Sequence, residues 1–389
     1  MVRAIRPVDA DGVAQMVYYH PGVGTGNIVD RFMGGTMGIG LCANVQAAYD
    51  FLATNFLDGD RIYLFGFSRG AYTARSLAGL IGVMGGLLEK HDMDLFPYVF
   101  ELYRSPDHRK AIAVGTKAAI EEAVRAQFSE KELRGNSSRL TDAILGNRPT
   151  PIFFIGVWDT VGALGIPLGW ARWIGKQHYE FHDTGLSPRI RFAYHALAID
   201  EQRASFEPTL WTRPKGYGTR KDVTEQTLEQ VWFAGAHSNV GGGYEDAGLS
   251  DIAFLWMVDK AMNAHWTNYK GLPLAFEEKA YLEKKIAPNM GLLRDSSEGI
   301  VWTVAGRKQR VVLGPPPRDK VTGAETETSE SVHRSARFRF ECQDKDPFSP
   351  FPYRPANLEK ALAQPGCVVT DLSELERKYR PWPDSKAGP

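Results

Sequence analysis

The stretch Arg61-Ile62-Tyr63-Leu64-Phe65-Gly66-Phe67-Ser68-Arg69-Gly70-Ala71-Tyr72 decides how this chain folds. Its first half is a continuous apolar and aromatic run, the composition of a strand buried on both faces. From Ala71 the residues Tyr72-Thr73-Ala74-Arg75-Ser76-Leu77-Ala78 read as a helix, with no proline or glycine to break it. Strand and helix meet at Gly66-x-Ser68-x-Gly70 with no room for a loop. A serine at so sharp a bend is held in a strained backbone geometry, and small residues two positions to either side let strand and helix pack closely. The bend presents the hydroxyl above the free N–H groups of a helix N-terminus. The plainer alternative is that Ser68 only caps the helix.

Working outward, similar runs recur. Pro151 to Trp158 (PIFFIGVW) ends at Asp159, and Ile190 to Ile199 (IRFAYHALAI) is a further strand. Gln230 to Gly235 (QVWFAG) stops just before His237 and a triple glycine. The run Ala14-Gln15-Met16-Val17-Tyr18-Tyr19, closed by His20-Pro21-Gly22, also reads as a buried strand. Helical periodicity covers Asn44–Phe56, with Val45, Ala48, Phe51 and Leu52 on one face, and Ile252–Met262. Apolar strands alternating with helices predict an α/β fold with a mainly parallel sheet flanked by helices. Residues 1–270 form the expected core, with a helical insertion at about 87–150 that could serve as a lid. Residues 271–389, rich in turns at Gly314-Pro315-Pro316-Pro317 and polar at Thr322–Ser331, are expected to wrap that core and end in a frayed tail.

Composition narrows the function. Over 389 residues, 46 Lys+Arg balance 46 Asp+Glu, so nothing draws the whole protein to nucleic acid. Hydrophobic residues at 43% and charged residues at 24% belong to a globular chain rather than a disordered one. Cys42, Cys342 and Cys367 are too few and too scattered for a disulfide framework or a zinc site. No zincin-like histidine spacing appears, so no metal and no cofactor is expected. There is no transmembrane run and no secretory leader, which makes the cytoplasm the default location, with signal-independent export left open.

Serine at its own pKa needs a base, and the base needs a carboxylate to orient it. Where serine sits at such an elbow, acid and histidine follow in that order at later strand ends. Asp159 and His237 fit both position and order. His195 and Asp200, in Tyr194-His195-Ala196-Leu197-Ala198-Ile199-Asp200-Glu201, are rivals for base and acid. His20, beside the glycine-dense segment 22–40, could contact a substrate. The main-chain N–H of Arg69 is an oxyanion donor by position, with Gly66 and Gly70 shaping the elbow. Trp170 and Trp173, in Leu164–Gly175 (LGIPLGWARWIG), could wall an acyl chain or touch a membrane surface; ordinary packing is the bland alternative.

Four segments together resemble one family: residues 66–82 (GFSRGAYTARSLAGLIG), 154–165 (FIGVWDTVGALG), 194–211 (YHALAIDEQRASFEPTLW) and 231–244 (VWFAGAHSNVGGGY). The chain resembles the catalytic domain of type VI secretion phospholipase effectors of the first lipase class and their uncharacterised kin. Residues 21–26 (PGVGTG) and 353–358 (YRPANL) fit the same group. The resemblance implies an α/β-hydrolase fold, ester hydrolysis on phospholipid, and a nucleophile, acid and base on Ser68, Asp159 and His237. It implies an immunity or secretion partner as well. Members open with an additional strand and an Asp-Gly-Thr turn that would supply the second oxyanion donor. This sequence begins beyond that point, so a late-start chain of reduced activity, or a non-catalytic binding or regulatory module, is the alternative expectation. A peptidase or thioesterase on the same scaffold is a third.

Overall fold

The computed structural model describes residues 1–21, 37–161, 184–216, 226–265, 273–279, 291–295, 306–319, 322–342 and 352–379. Six strands form the central sheet, lying side by side in chain order: β1 Ile62–Phe67, β2 Ile152–Trp158, β3 Ile190–Ala198, β4 Thr227–Phe233, β5 Glu330–His333 and β6 Val369–Thr370. Every pairing is parallel. The expected α/β architecture is therefore present.

Register explains where a site can form. Phe67 lies opposite Trp158, Trp158 opposite Ala196, and Ala198 opposite Phe233. The first four strands thus finish together, and the residues following them share one rim. Ligands in open parallel sheets bind outside this carboxyl rim.

Side chains alternate between two cores, as the period of two requires. Along β2 from Phe154 and β3 from Phe192, Ile155, Val157 and Ala193 face a core shared with α1 (Met37–Asn55) and α2 (Arg69–Met84), which Ile152 and Ile190 at the strand starts also join. Phe154, Trp158, Tyr194, Ala196 and Phe233 face the other core, against Ile252, Trp256 and Met257 of α9 (Ser250–Asn263). All seven residues of β2 are buried. That is why its sequence is apolar without alternation.

The insertion holds five helices: α3 Phe96–Arg104, α4 Pro106–Val114, α5 Lys117–Gln127, α6 Glu130–Leu133 and α7 Ser137–Leu145. Periodicity alone merges several of these. Polar caps divide them: Ser105 accepts from the His108 N–H, Thr116 from the Ala119 N–H, and Ser129 and Glu132 form a reciprocal capping box. The ends of the insertion are joined by the antiparallel pair Gly86–Leu87 with Arg148–Pro149. That seam adjoins the C-terminal end of α2, about 24 Å along the helix from Ser68 at 1.5 Å per residue. Leu95, Phe96, Val99 and Leu102 belong to the same core as α2. The insertion thus packs into the core on the α2 side of the sheet.

Two expectations are corrected. Residues 14–19 form no strand: Met16 is 64% exposed and Tyr19 65%, and the single bridge here joins Val8 to Ala14. Tyr18 instead stacks on Phe51, ring centroids 5.1 Å apart. Strand propensity needs a partner strand to be realised, and β1 is the edge of the sheet among the described residues. His20 is exposed. The region beyond residue 271 does more than cover the core. It contributes β5 and β6, with Val332 opposite Trp232.

Candidate active site

Ser68 carries the sharp bend at the rim. Its backbone sits at φ 56°, ψ −117°, a region that residues with a side chain avoid, at a cost of about 1–3 kcal/mol. Two hydrogen bonds hold it there. Its N–H donates to the Trp158 carbonyl (3.0 Å), extending the sheet by one residue, and its own carbonyl accepts from the Tyr72 N–H (3.1 Å), starting α2. The two flanking glycines are not equivalent. A Cβ on Gly66 would lie 2.3 Å from the Gly70 carbonyl oxygen, whereas a Cβ on Gly70 would meet open space. Gly66 is therefore the residue that lets strand and helix close; Gly70 contributes the backbone that Gly66 must clear.

Asp159 and His237 follow the next strands on the same rim. Asp159 leaves β2 at φ 42°, pinned by its N–H to the Ala196 carbonyl (2.7 Å). His237 opens the short helix α8 (His237–Gly241) just beyond β4. The chain reaches it through Gly235 at φ 124°, where a Cβ would lie 2.5 Å from that of Asn239. Gly241 lets the Phe67 ring approach, since a Cβ there would sit 2.0 Å from the ring. The Phe67 and Phe206 rings lie 4.6 and 5.0 Å from the imidazole.

The three side chains form one hydrogen-bonded line. His237 Nε2 is 2.8 Å from Ser68 Oγ, and His237 Nδ1 is 2.6 Å from Asp159 Oδ2. An ionised carboxylate can only accept, so Nδ1 carries the hydrogen and the Nε2 lone pair faces the hydroxyl. Asp159 is wholly buried, and His237 is 5% exposed.

Asp159 accepts three further bonds. Its Oδ1 takes the Ala198 N–H (3.0 Å) and Arg310 Nη1 (2.6 Å), and its Oδ2 takes Arg310 Nη2 (3.0 Å). Burial alone would raise the Asp159 carboxyl. The Arg310 charge and the bond from His237 outweigh it and hold the group well below the usual carboxylate range.

His195 and Asp200 are committed elsewhere. The Thr160 N–H donates to His195 Nε2 (3.1 Å), so the ring's hydrogen is on Nδ1 and goes to Gln230 Oε1 (3.1 Å). Burial first, then the Arg75 charge, lowers the His195 pKa to about 3. Asp200 Oδ2 accepts from the Gly235 N–H (2.7 Å) and the Tyr353 hydroxyl (2.8 Å). Both residues build the rim rather than line up with Ser68. Glu201 accepts the His237 N–H (3.3 Å) and is paired with Arg203 at 2.8 Å.

Arg69 is the first residue of α2, so its main-chain N–H has no helical acceptor. Trp170 and Trp173, and residues 22–36 of the glycine-dense segment, lie outside the described residues; Met37–Gly40 belong to α1. Sequence reasoning passed over Arg310 and Phe206. An arginine among the basic and turn residues of Gly306-Arg307-Lys308-Gln309-Arg310 gives no hint that its head group is buried. Phe206 could have been found, since it lies in one of the four segments that carried the resemblance.

The family model for the type VI secretion phospholipase effector Tle1-like catalytic domain matches residues 1–260. The chain belongs to this family. A 218-residue stretch is 27% identical to the uncharacterized protein YEL023C of Saccharomyces cerevisiae, covering 52% of this chain and 28% of that one. A solved structure of the Tle1 effector bound to the VgrG spike of the type 6 secretion system is 20% identical. It covers 56% of this chain and 34% of its own, with a TM-score of 0.27, too slight a likeness to argue from. The chain therefore spans about a third or less of the length of the relatives it matches.

Proposed function

We propose that the protein is a serine hydrolase that cleaves carboxylic esters through an acyl-enzyme, with phospholipid as its substrate class. One observation carries the reading: an unbroken line of hydrogen bonds from a serine on a strained elbow, through a histidine of defined tautomer, to a buried carboxylate. Ser68 Oγ attacks the ester carbonyl while His237 Nε2 takes its proton. The new negative charge on the carbonyl oxygen is met by the Arg69 N–H and the positive end of α2. Asp159 stabilises the imidazolium without taking its proton. His237 then protonates the leaving alcohol. In the second half, His237 takes a proton from water, the resulting hydroxide attacks the acyl-enzyme, and Ser68 regains its hydrogen as the fatty acid leaves.

Phospholipid as substrate, and delivery by a type VI machine with a secretion partner, rest on family membership. Among the described residues no helix is long and apolar enough to cross a membrane. A fluorophosphonate probe should label the wild type and not Ser68→Ala. Turnover of a phospholipid should exceed that of a short ester and a thioester. Full esterase activity in Ser68→Ala would overturn the mechanism. No labelling of a folded wild type would favour a binding module.

A further inference from the structure

We propose that Arg310, from the part of the chain beyond the family match, is a positioning residue of the site. Its fork fixes the Asp159 carboxylate, and its charge sets the pH at which the Asp159–His237 pair takes up a proton. The inference rests on the hydrolase reading and goes beyond it, because it assigns a role to a segment the family model does not reach.

The geometry is that of a built clamp. Arg310 Nη1 and Nη2 take separate Asp159 oxygens, at 2.6 and 3.0 Å. The same two nitrogens donate to the Ala198 carbonyl (2.8 Å) and the Phe206 carbonyl. The side chain is only 3% exposed. Its backbone is held in turn: Asn357 Nδ2 donates to the Arg310 carbonyl (3.2 Å) and to the Ile199 carbonyl at the end of β3 (3.0 Å). A planar fork fits a carboxylate at two points and fixes its plane. Asp159 cannot rotate without breaking both bonds, so the oxygen that meets His237 is fixed.

The charge has a separate effect. Around His237 lie Asp159 and Arg310, the Glu201–Arg203 pair after β3, Asp200 bonded to the Gly235 N–H and facing the charges of Arg339 and Arg310, and His195 on β3, with Arg75 of α2 behind it and Arg69 next to Ser68. Asp159 and Arg310 cancel, as do Glu201 and Arg203. A proton arriving on the pair therefore adds uncompensated positive charge to a buried place. With a neutral residue at 310, the same proton would restore balance. The base would be blocked by protonation at a higher pH, and the acid limb of the activity profile would move up.

The test uses full-length protein, a soluble carboxylic ester as probe, and fluorophosphonate labelling. Arg310→Gln removes the charge and keeps a donor; Arg310→Lys keeps the charge and loses the fork. The Gln variant should shift the acid limb of kcat/KM up by about one pH unit. The Lys variant should leave that limb in place while kcat falls by about tenfold or more. A Gln profile that overlays the wild type, or equal shifts in both variants, would overturn the proposal. Should the Gln variant not fold, the Lys variant decides: wild-type kcat would overturn positioning, and a lower kcat at an unmoved limb would support it. Wild type that fails to label overturns the hydrolase reading itself. Labelled wild type with coincident limbs overturns this inference alone.

Discussion

At the scale of single residues, backbone rather than side chain sets most of the constraints. Gly66 has a Cβ's worth of space already filled by the Gly70 carbonyl. Gly66→Ala should therefore push α2 off β1, giving protein that melts lower and labels more slowly with fluorophosphonate; wild-type melting would contradict the close approach. Asp159→Asn should leave the fold's outline and cost turnover about 10⁴-fold, because the amide can hold the imidazole in the wrong tautomer. Steady-state ester hydrolysis checks it. His195 makes a pH prediction. Its folded pKa is near 3 against an ordinary 6.5, so the unfolded chain binds the proton first as pH falls. Its stabilisation is complete above about pH 6.5 and is lost as pH falls from there towards 3, with a slope of up to about 1.4 kcal/mol per pH unit. In His195→Gln, urea unfolding followed between pH 7 and 4 should show a flatter slope despite lower stability.

Much of the line from Ser68 to Asp159 could be read in the sequence because each member follows a long apolar run, and such runs mark both a strand and its end. Arg310 could not. Nothing local distinguishes an arginine destined for burial, since its partner is 151 positions away. The same holds for His195: its environment, set by Thr160 and Gln230, makes it a rim residue, while its sequence setting matches that of a base.

Among the elements, β1 to β4 were legible and β5 and β6 were not. The first four are apolar enough to announce burial on both faces. β5, Glu330-Ser331-Val332-His333, is mostly polar and is a strand only because β4 offers it a ladder. Several of its polar groups find partners within the protein: Glu330 accepts from the Trp232 indole (2.9 Å), and His333 Nδ1 lies 2.7 Å from the Ser335 hydroxyl. The run at 14–19 shows the converse, with propensity and no neighbour to pair with. The helix α9 is expected to be the main support behind the site. Trp256 is fully buried, edge-on to Tyr194 at 5.8 Å and Phe233 at 5.4 Å. Trp256→Ala should cost about 3–5 kcal/mol in denaturant unfolding. Trp256→Phe should cost less, since the indole N–H has no acceptor among the described residues.

Across the whole molecule, the site is assembled from segments more than 240 residues apart in the chain, Ser68 to Arg310. A fragment of residues 1–260, the span of the family match, lacks β5, β6 and Arg310. It should leave one face of Trp232 uncovered and the buried Asp159 charge without its guanidinium, held only by the His237 and Ala198 hydrogens, which costs several kcal/mol. Circular dichroism with urea is expected to show a broad, low-midpoint transition for the fragment, against a sharp one for the full chain.

The chain-order sheet has a consequence for biosynthesis. A ribosome delivers Ser68 first, then Asp159, then His237, and only afterwards the Arg310 guanidinium that pairs with Asp159 and the strands β5 and β6. Domains fold as units, so the nascent polypeptide carries Ser68, Asp159 and His237 well before they can be held in register. The line of hydrogen bonds can be completed only after residue 310 and the strands that follow it have emerged.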